Sequence, residues 1–175
     1  MSEPFFSIII PTYNREDVIK STVQSVLNQT FKKWELLIID DGSSDNTESV
    51  IKNINDPRIK YIYQENSERS VARNNGIKNA RGRWICFLDS DDAFKENHLS
   101  TLFENIEDDK KHSRNIEFYF TSQETQYLID NTKEIVNTDF DYNQAHYFFA
   151  SESIVPGLIV LFPKQKVLKT NQKHI

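Results

Sequence analysis

Residues 84–94 read WICFLDSDDAF, an apolar run of strand length followed by three carboxylates within four positions: Asp89, Asp91 and Asp92. Carboxylates repel one another, and an unpaired charge is costly to bury, so this cluster requires a positive partner. Mg²⁺ and Mn²⁺ bind oxygen ligands and take further ligands from phosphates, so Asp89 and Asp91 indicate a divalent-metal site. The alternative is that these acids only cap the following helix.

The same alternation of an apolar run, polar residues and an amphipathic segment repeats along the first hundred residues. It predicts an α/β fold with a parallel sheet and helices on both faces. We expect Asp45 to cap the second helix in a capping box with Glu48, and Ser70 to cap the third. The predicted strands are 5–10, 34–40, 58–63 and 83–88, and the predicted helices are 16–29, 45–53, 70–80 and 96–108.

Polar clusters follow all four predicted strands, at 12–14, 40–41, 64–69 and 89–91. Ligands of parallel sheets bind beyond the carboxyl ends of the strands, so the clusters are expected to converge on one edge. Tyr13 could stack on a base there, or simply cover the edge of the sheet. Asp40 and Asp41 could accept hydrogen bonds from a ribose or a base, or could belong to a polar turn that includes Gly42.

The segment 70–82 contains Arg73 near a predicted helix N-terminus, where a diphosphate would be favoured. Asn74, Asn75 and Gly76 are poor helix formers in a row. This run predicts close approach or side-chain contact, and the alternative is a frayed, exposed helix. Two further arginines, Arg81 and Arg83, are expected to be solvated.

From about residue 113 the pattern changes, which divides the single predicted domain into 1–112 and 113–175. A strand is predicted at 115–122, a hairpin about Asp130–Asn131, a last strand at 157–162 and a short helix starting at Pro163.

Composition excludes several classes of protein. The net charge of −5 disfavours nucleic-acid binding, and the single cysteine excludes an internal disulfide. The sequence contains no apolar run of about 20 residues, so no transmembrane segment is predicted. We expect a cytoplasmic protein, with peripheral association at the inner face of the membrane, and the composition leaves its oligomeric state open.

Three segments, 7–17 (SIIIPTYNRED), 29–47 (QTFKKWELLIIDDGSSDNT) and 70–92 (SVARNNGIKNARGRWICFLDSDD), together resemble the inverting family-2 glycosyltransferases. The resemblance covers about residues 5–95 and implies the GT-A fold, a Rossmann-like, mostly parallel sheet flanked by helices. It also implies transfer of a sugar from a nucleoside-diphosphate sugar, with UDP expected, to a hydroxyl acceptor with inversion. The acceptor would be a saccharide or a lipid-linked molecule in cell-surface polysaccharide or glycolipid synthesis.

The same resemblance assigns roles to single residues. Nucleotide-sugar binding falls on Pro11, Tyr13, Glu16, Asp40, Asp41, Arg73, Asn74, Asp89 and Ser90. A divalent cation, Mn²⁺ or Mg²⁺, would bind Asp91 directly, with Asp89 as a second ligand or a contact to the sugar. The family's general base is expected beyond residue 175, so the acceptor half is expected to be incomplete and transfer by this chain weak. Asp139 and Glu152 match no motif of the family, and neither is assigned as the base.

The sequence also allows functions other than sugar transfer. A non-catalytic nucleotide-sugar-binding module would share the first hundred residues. A GT-A-like nucleotidyltransferase would need a glycine-rich basic loop after the first strand, but 11–18 contains no glycine and one arginine. A phospho-aspartate protein would need a Lys or Thr partner at a strand end, which the sequence does not offer in the required order.

Overall fold

A computed structural model describes residues 3–113 with their side chains, and beyond them only the backbone of four strands. These later strands are β5 (Tyr119–Thr121), β6 (Gln123–Gln126), β7 (Lys133–Val136) and β8 (Ile159–Pro163). Asp139, Glu152 and the helix predicted after Pro163 lie outside the described residues.

Four strands and four helices alternate within residues 3–113. The strands are β1 (Phe6–Thr12), β2 (Trp34–Asp41), β3 (Ile59–Gln64) and β4 (Trp84–Phe87). The helices are α1 (Ile19–Leu27), α2 (Thr47–Lys52), α3 (Arg69–Asn79) and α4 (His98–Lys111). Every residue of β1 and β2 is buried, as expected for central strands covered on both faces.

Six strands form one sheet in the order β3-β2-β1-β4-β8-β5. Strands β1 to β4 are parallel, and β8 pairs antiparallel with both β4 and β5. The prediction of an α/β fold with a mostly parallel sheet is confirmed. Thr12 lies opposite Asp40, and Asp41 lies opposite Gln64, so the carboxyl ends of three strands meet in register.

The two faces of the sheet carry separate hydrophobic layers. One layer packs Ile8, Ile10 and the apolar stripes of α1 and α4 together, and the other packs Ile9 and β2 against α3. Gly76 of α3 lies so close to β1 that a Cβ at this position would overlap Ile9 Cγ2. This close approach explains why a poor helix former occupies a buried helical position.

Charged and polar groups at the amino ends of the strands form a closed network. Glu35 is buried, and its Oε1 accepts hydrogen bonds from Ser7 Oγ and from the Arg81 N–H, both at 2.6 Å. Its Oε2 accepts from Arg81 Nε at 2.8 Å. Arg81 and Arg83 are exposed as expected, but the sequence did not indicate the contact of Arg81 with buried Glu35. Gly82 is the next residue in the sequence after Arg81. A Cβ at this position would lie 2.6 Å from the Ser7 backbone nitrogen, so only glycine fits without a shift.

The predicted helix starts need correction. Helix α2 begins at Thr47 rather than Asp45, although Asp45 Oδ1 still accepts the Thr47 N–H at 3.0 Å. Glu48 forms an ion pair with Lys52 instead of closing a capping box. Helix α3 begins at Arg69, before Ser70, because the chain turns at the preceding residue with a φ of 107°.

Of the later strands, β8 and β5 belong to the same sheet as the first four, whereas β6 and β7 form a separate two-stranded sheet. Leu161 of β8 lies opposite Cys86 of β4, so the 113–175 segment contributes to the sheet built by residues 1–112. The predicted hairpin is confirmed by the antiparallel pair β6–β7, in which Gln126 lies opposite Lys133. Pro163 is the last residue of β8 rather than the first of a helix. Within the described residues, no helix combines the length and apolar character needed to cross a membrane.

Candidate functional site

The loop after β1 is tied to the loop after β2 by side-chain to backbone hydrogen bonds. Asn14, which has a φ of 50°, donates its N–H to Ser43 Oγ at 2.9 Å and accepts the Ser44 N–H on Oδ1 at 2.8 Å. Glu16 Oε2 accepts the Asn46 N–H at 2.8 Å. These bonds fix the two loops relative to each other, so Glu16 positions the loops at the carboxyl edge of the sheet.

Pro11 and Tyr13 occupy opposite environments in the first loop. Pro11 is buried at the end of β1, whereas Tyr13 is 48% exposed. A large aromatic side chain fixed by a tightly bonded loop and open to solvent offers a stacking surface for a planar ligand.

Asp40 is fully buried, and both of its carboxylate oxygens accept hydrogen bonds from the protein. Its Oδ1 accepts the Ser43 N–H at 2.8 Å, and its Oδ2 accepts the Tyr61 hydroxyl at 2.7 Å. Burial raises the pKa of Tyr61 far above its ordinary value, and the hydrogen bond to Asp40 raises it further. Tyr61 therefore stays a neutral donor. Asp40 therefore shapes the turn from beneath rather than lying at its surface.

Asp41 is 5% exposed and binds the loop between β3 and α3. Its Oδ1 accepts from Gln64 Nε2 at 2.7 Å and from the Ser67 N–H at 3.0 Å, while Oδ2 accepts the Glu68 N–H at 3.0 Å. Asn66 Nδ2 also donates to the Asp41 carbonyl at 2.9 Å. A carboxylate offers about four acceptor positions, so one position remains open, on Oδ2.

Arg73 and Asp89 form an ion pair between α3 and the segment after β4. Arg73 Nη2 lies 2.9 Å from Asp89 Oδ1, and the side chain of Arg73 is only 11% exposed. Arg69, one helical turn earlier, places Nη1 3.9 Å from Asp89 Oδ2. Burial lowers the pKa of Arg73 and Asp89 opposes that shift, but a guanidinium remains charged at neutral pH. Asn74 is exposed beside this pair.

The three residues after Asp89 differ sharply in their surroundings. Ser90 is buried, and its carbonyl accepts the Thr22 hydroxyl at 2.8 Å. Asp91 is exposed and lines a shallow pocket with Asn14, Arg15, Asp17 and Val18. Burial raises the pKa of Asp92, and the charges of Asp89 and Asp91 raise it further.

Crowded carboxylates of this kind favour a cation. In the part of the chain described, no three His, Cys, Asp or Glu side chains are grouped so as to hold a metal ion. A cation at Asp89 and Asp91 would therefore need further ligands from a substrate or water, which is how Mg²⁺ is commonly bound.

The structure brings the strand-end residues to one edge, and it assigns to the predicted polar cluster 64–69 a role that the sequence did not specify. Gln64 and the backbone N–H groups of Ser67 and Glu68 hold Asp41. The sequence places Gln64 in the polar cluster after the third strand, but its pairing with Asp41 follows only from the register of β2 and β3.

These features define an α/β domain with an acid-rich ligand site at the carboxyl ends of its parallel strands. The model of the family described as "Glycosyl transferase family 2" matches residues 7–166, and the chain belongs to this family.

Relatives and solved structures agree with this assignment. The chain is 46% identical over 100 residues to UDP-Glc:alpha-D-GlcNAc-diphosphoundecaprenol beta-1,3-glucosyltransferase WfgD of Escherichia coli, covering 57% of this chain and 40% of that protein. It is 38% identical over 157 residues to the minor teichoic acid biosynthesis protein GgaA of Bacillus subtilis, covering 82% of this chain and 35% of the relative. The chain thus spans about two fifths of the length of such relatives.

The fold is that of the GT-A glycosyltransferases. It superposes on the mannosyltransferase PcManGT from Pyrobaculum calidifontis, solved in complex with GDP-Man and Mn²⁺, with a TM-score of 0.65. The two share 19% sequence identity, and the match covers 98% of this chain and 47% of the other.

Proposed function

We propose that this chain binds a nucleoside-diphosphate sugar, specifically a UDP-sugar, and that its protein transfers the sugar to a hydroxyl of a saccharide or lipid-linked acceptor. The observation that carries the proposal is the convergence of Tyr13, Asp41, the Arg73–Asp89 pair and Asp91 on one edge of the sheet. The donor and the lipid-linked acceptor named for the Escherichia coli relative support UDP and such an acceptor.

The nucleoside would lie over the first two loops. Tyr13 is open for stacking, and the free acceptor position on Asp41 Oδ2 suits a base N–H or a ribose hydroxyl. Pro11 would form the floor of this pocket. Glu16 and Asp40 would act indirectly, because their carboxylates are bonded to the loops that present Tyr13 and Asp41.

The diphosphate would lie toward Arg73 and the exposed Asn74, near the start of α3. Arg73 is held by Asp89, so its charge is fixed in place before a ligand arrives. Asp89 and Asp91 fit a divalent cation, Mn²⁺ or Mg²⁺, since Asp91 is exposed and the neighbouring carboxylates already raise the pKa of Asp92. A bound cation would offset the negative charge that develops on the departing nucleoside diphosphate.

Inversion at the sugar carbon requires one direct displacement by the acceptor hydroxyl. A carboxylate base must then lie within hydrogen-bond reach of that hydroxyl. None of the described residues is assigned this role. The teichoic acid relative supports synthesis of a cell-surface polymer, and a lipid-linked acceptor would place the reaction at the cytoplasmic face of the membrane.

Thermal shift and calorimetry with UDP-glucose, GDP-mannose and dTDP-glucose test this proposal, each with and without Mn²⁺. We expect the UDP-sugar to stabilise the chain most, and to do so more strongly with Mn²⁺. Stabilisation by none of the three, with or without metal, would refute the donor site. Binding that is independent of Mn²⁺ would refute only the metal.

A further inference from the structure

We propose that Gln64 and Asn75 are positioning residues that fix the orientation of Asp41 toward the donor. The role rests on the proposed function, because it takes Asp41 as the group that contacts the nucleoside. Neither amide is placed to touch the donor itself; each acts through the hydrogen bond that it makes to the next group.

The amides form a continuous chain between Asp41 and the surface. Gln64 Nε2 donates to Asp41 Oδ1 at 2.7 Å, and Asn75 Nδ2 donates to Gln64 Oε1 at 2.8 Å. Asn79 Nδ2 donates to Asn75 Oδ1 at 2.9 Å, and Lys60 Nζ donates to Asn79 Oδ1 at 3.3 Å. The chain thus crosses from the carboxyl end of β3 along one side of α3.

The groups at the two ends of this series of hydrogen bonds, Asp41 and Lys60, fix the same donor-to-acceptor direction along it. A carboxylate only accepts hydrogen bonds, and an ammonium group only donates them. Asp41 therefore requires the Gln64 NH₂ to face it, which leaves the Gln64 carbonyl to accept from Asn75, and so on to Lys60. Hydrogen bonds aligned in this way polarise one another, so this relay of side-chain amides favours one orientation of the Asp41 carboxylate.

The relay determines which oxygen of Asp41 is left for a ligand. Gln64 and the Ser67 N–H together occupy Oδ1, and the remaining acceptor position is on Oδ2. If Gln64 were reversed, its carbonyl would face Oδ1, and repulsion would turn the carboxylate out of this orientation.

Asn75→Asp tests the relay with almost no change of shape. The new carboxylate can still accept from Asn79, but it cannot donate to Gln64, so it favours the reversed Gln64. Lys78→Gln is the matched control, since it changes the charge of α3 by the same amount at an exposed position. Calorimetry with UDP and Mn²⁺ measures the affinity, and circular dichroism checks the fold.

We expect Asn75→Asp to weaken UDP binding about tenfold at pH 8, as expected for a lost bond to a charged group, and Lys78→Gln to weaken it less than about twofold. The loss of UDP affinity in Asn75→Asp should become smaller as the pH falls, because protonation of the new carboxylate restores a donor at position 75. The pKa of the introduced group should lie above the ordinary value of about 3.9, given the acceptor oxygen that it faces.

A second variant covers the case in which Asn75→Asp fails to fold. Asn75→Ala removes the donor without reversing the relay, and we expect a loss of about threefold. Variants that bind UDP no more weakly than Lys78→Gln would overturn the positioning role while the donor site stands. An unsubstituted chain that binds neither UDP nor GDP would overturn the donor site and this role together.

Discussion

Glu35 and Asp92 lie near opposite ends of the sheet, and their pKa values shift in opposite directions. Burial raises the pKa of Glu35, but the hydrogen bonds from Ser7 and Arg81 and the charge of Arg81 outweigh it, so the net shift is downward. For Asp92, burial and the charges of Asp89 and Asp91 all act upward. The carboxylate at the amino ends is stabilised by its neighbours, whereas the one at the carboxyl ends is opposed by them.

This difference separates structural charge from charge held available for a ligand. Around Glu35 each carboxylate oxygen has a protein donor, so nothing further is needed. At the carboxyl edge, Asp89 is paired with Arg73, but the charges of Asp89 and Asp91 still raise the pKa of the neighbouring Asp92. A fold keeps such repulsion where function requires it, and a cation or a cationic ligand group would relieve it.

Replacement of Asp91 should give the largest effect at the carboxyl edge. If the proposed cation binds at Asp91, Asp91→Asn should abolish the Mn²⁺-dependent part of UDP-sugar binding and slow the proposed transfer on the order of 100-fold, because a catalytic metal supplies several kcal/mol. The melting temperature should rise only slightly, since Asp91 is exposed and its charge is the smallest of the three causes that raise the pKa of Asp92. Calorimetry with and without Mn²⁺ and a transfer assay measure these effects.

Glu104→Gln on α4 is a suitable control, since it removes an equally exposed carboxylate away from the strand ends. If the two variants respond alike to Mn²⁺, Asp91 is not a metal ligand.

Replacement of Glu35 should give the largest effect at the amino edge. It should change the stability of the protein but not its affinity for UDP. Glu35→Gln should lower the free energy of unfolding by roughly 2 to 3 kcal/mol at pH 7, the range for hydrogen bonds to a buried charge. UDP affinity of the folded chain should not change. Because the folded pKa is lowered, this contribution is present above the ordinary value of 4.5 and is lost as the pH falls through the folded pKa.

Urea unfolding at several pH values measures the contribution of Glu35. The exposed Glu48–Lys52 pair provides the comparison, and Glu48→Gln should cost only about 0.5 kcal/mol. Equal losses for Glu35→Gln and Glu48→Gln would contradict a structural role of the Glu35 network.

Two glycine-to-alanine substitutions, one at each edge of the sheet, compare the two edges by adding a single methyl group. Gly42 has a φ of 86°, and a Cβ there would lie 2.8 Å from the Asn66 backbone nitrogen, in the loop bound by Asp41. Gly42→Ala should cost about 1 to 2 kcal/mol of stability and also weaken UDP binding. Gly82→Ala should cost a similar amount through overlap with Ser7, but leave the affinity of the folded chain unchanged. Loss of affinity in both variants would show that the edges are not independent.

The fold could be predicted from the sequence because its strands are buried on both faces. Continuous apolar runs such as 5–10 have no other stable use in a chain of this composition, and the helices between them show a clear apolar stripe. The parallel arrangement then brought the strand-end residues together without further information. Helix starts were less predictable, although Ser70 and Asp45 are good capping residues. Helix α3 begins directly after Glu68, whose N–H binds Asp41, and α2 begins directly after Asn46, whose N–H binds Glu16.

The support of the site was not predictable, because it depends on register and on rotamers. The pairing of Asp41 with Gln64 follows from the β2–β3 register, which no local pattern specifies. The contact of Asn75 with Gln64 further depends on how α3 packs across the sheet. The contact of Arg81 with Glu35 was not predictable for the same reason, since the two residues are 46 positions apart in sequence.

The smallest predicted effect comes from Asp92, where replacement should stabilise the protein. Because its folded pKa is raised, ionised Asp92 favours the unfolded chain, and Asp92→Asn should add about 0.5 kcal/mol at pH 7 in the absence of metal. The gain should shrink as the pH falls through the raised folded pKa toward the ordinary value of 3.8. Urea unfolding of the Asp92→Asn variant and of the unsubstituted chain measures this gain in stability.

Mn²⁺ should reduce the gain as well, since a cation at Asp89 and Asp91 removes the repulsion that Asp92 experiences. A gain that is the same at every pH would contradict the raised pKa of Asp92, and a gain unchanged by saturating Mn²⁺ would show that burial rather than repulsion destabilises ionised Asp92.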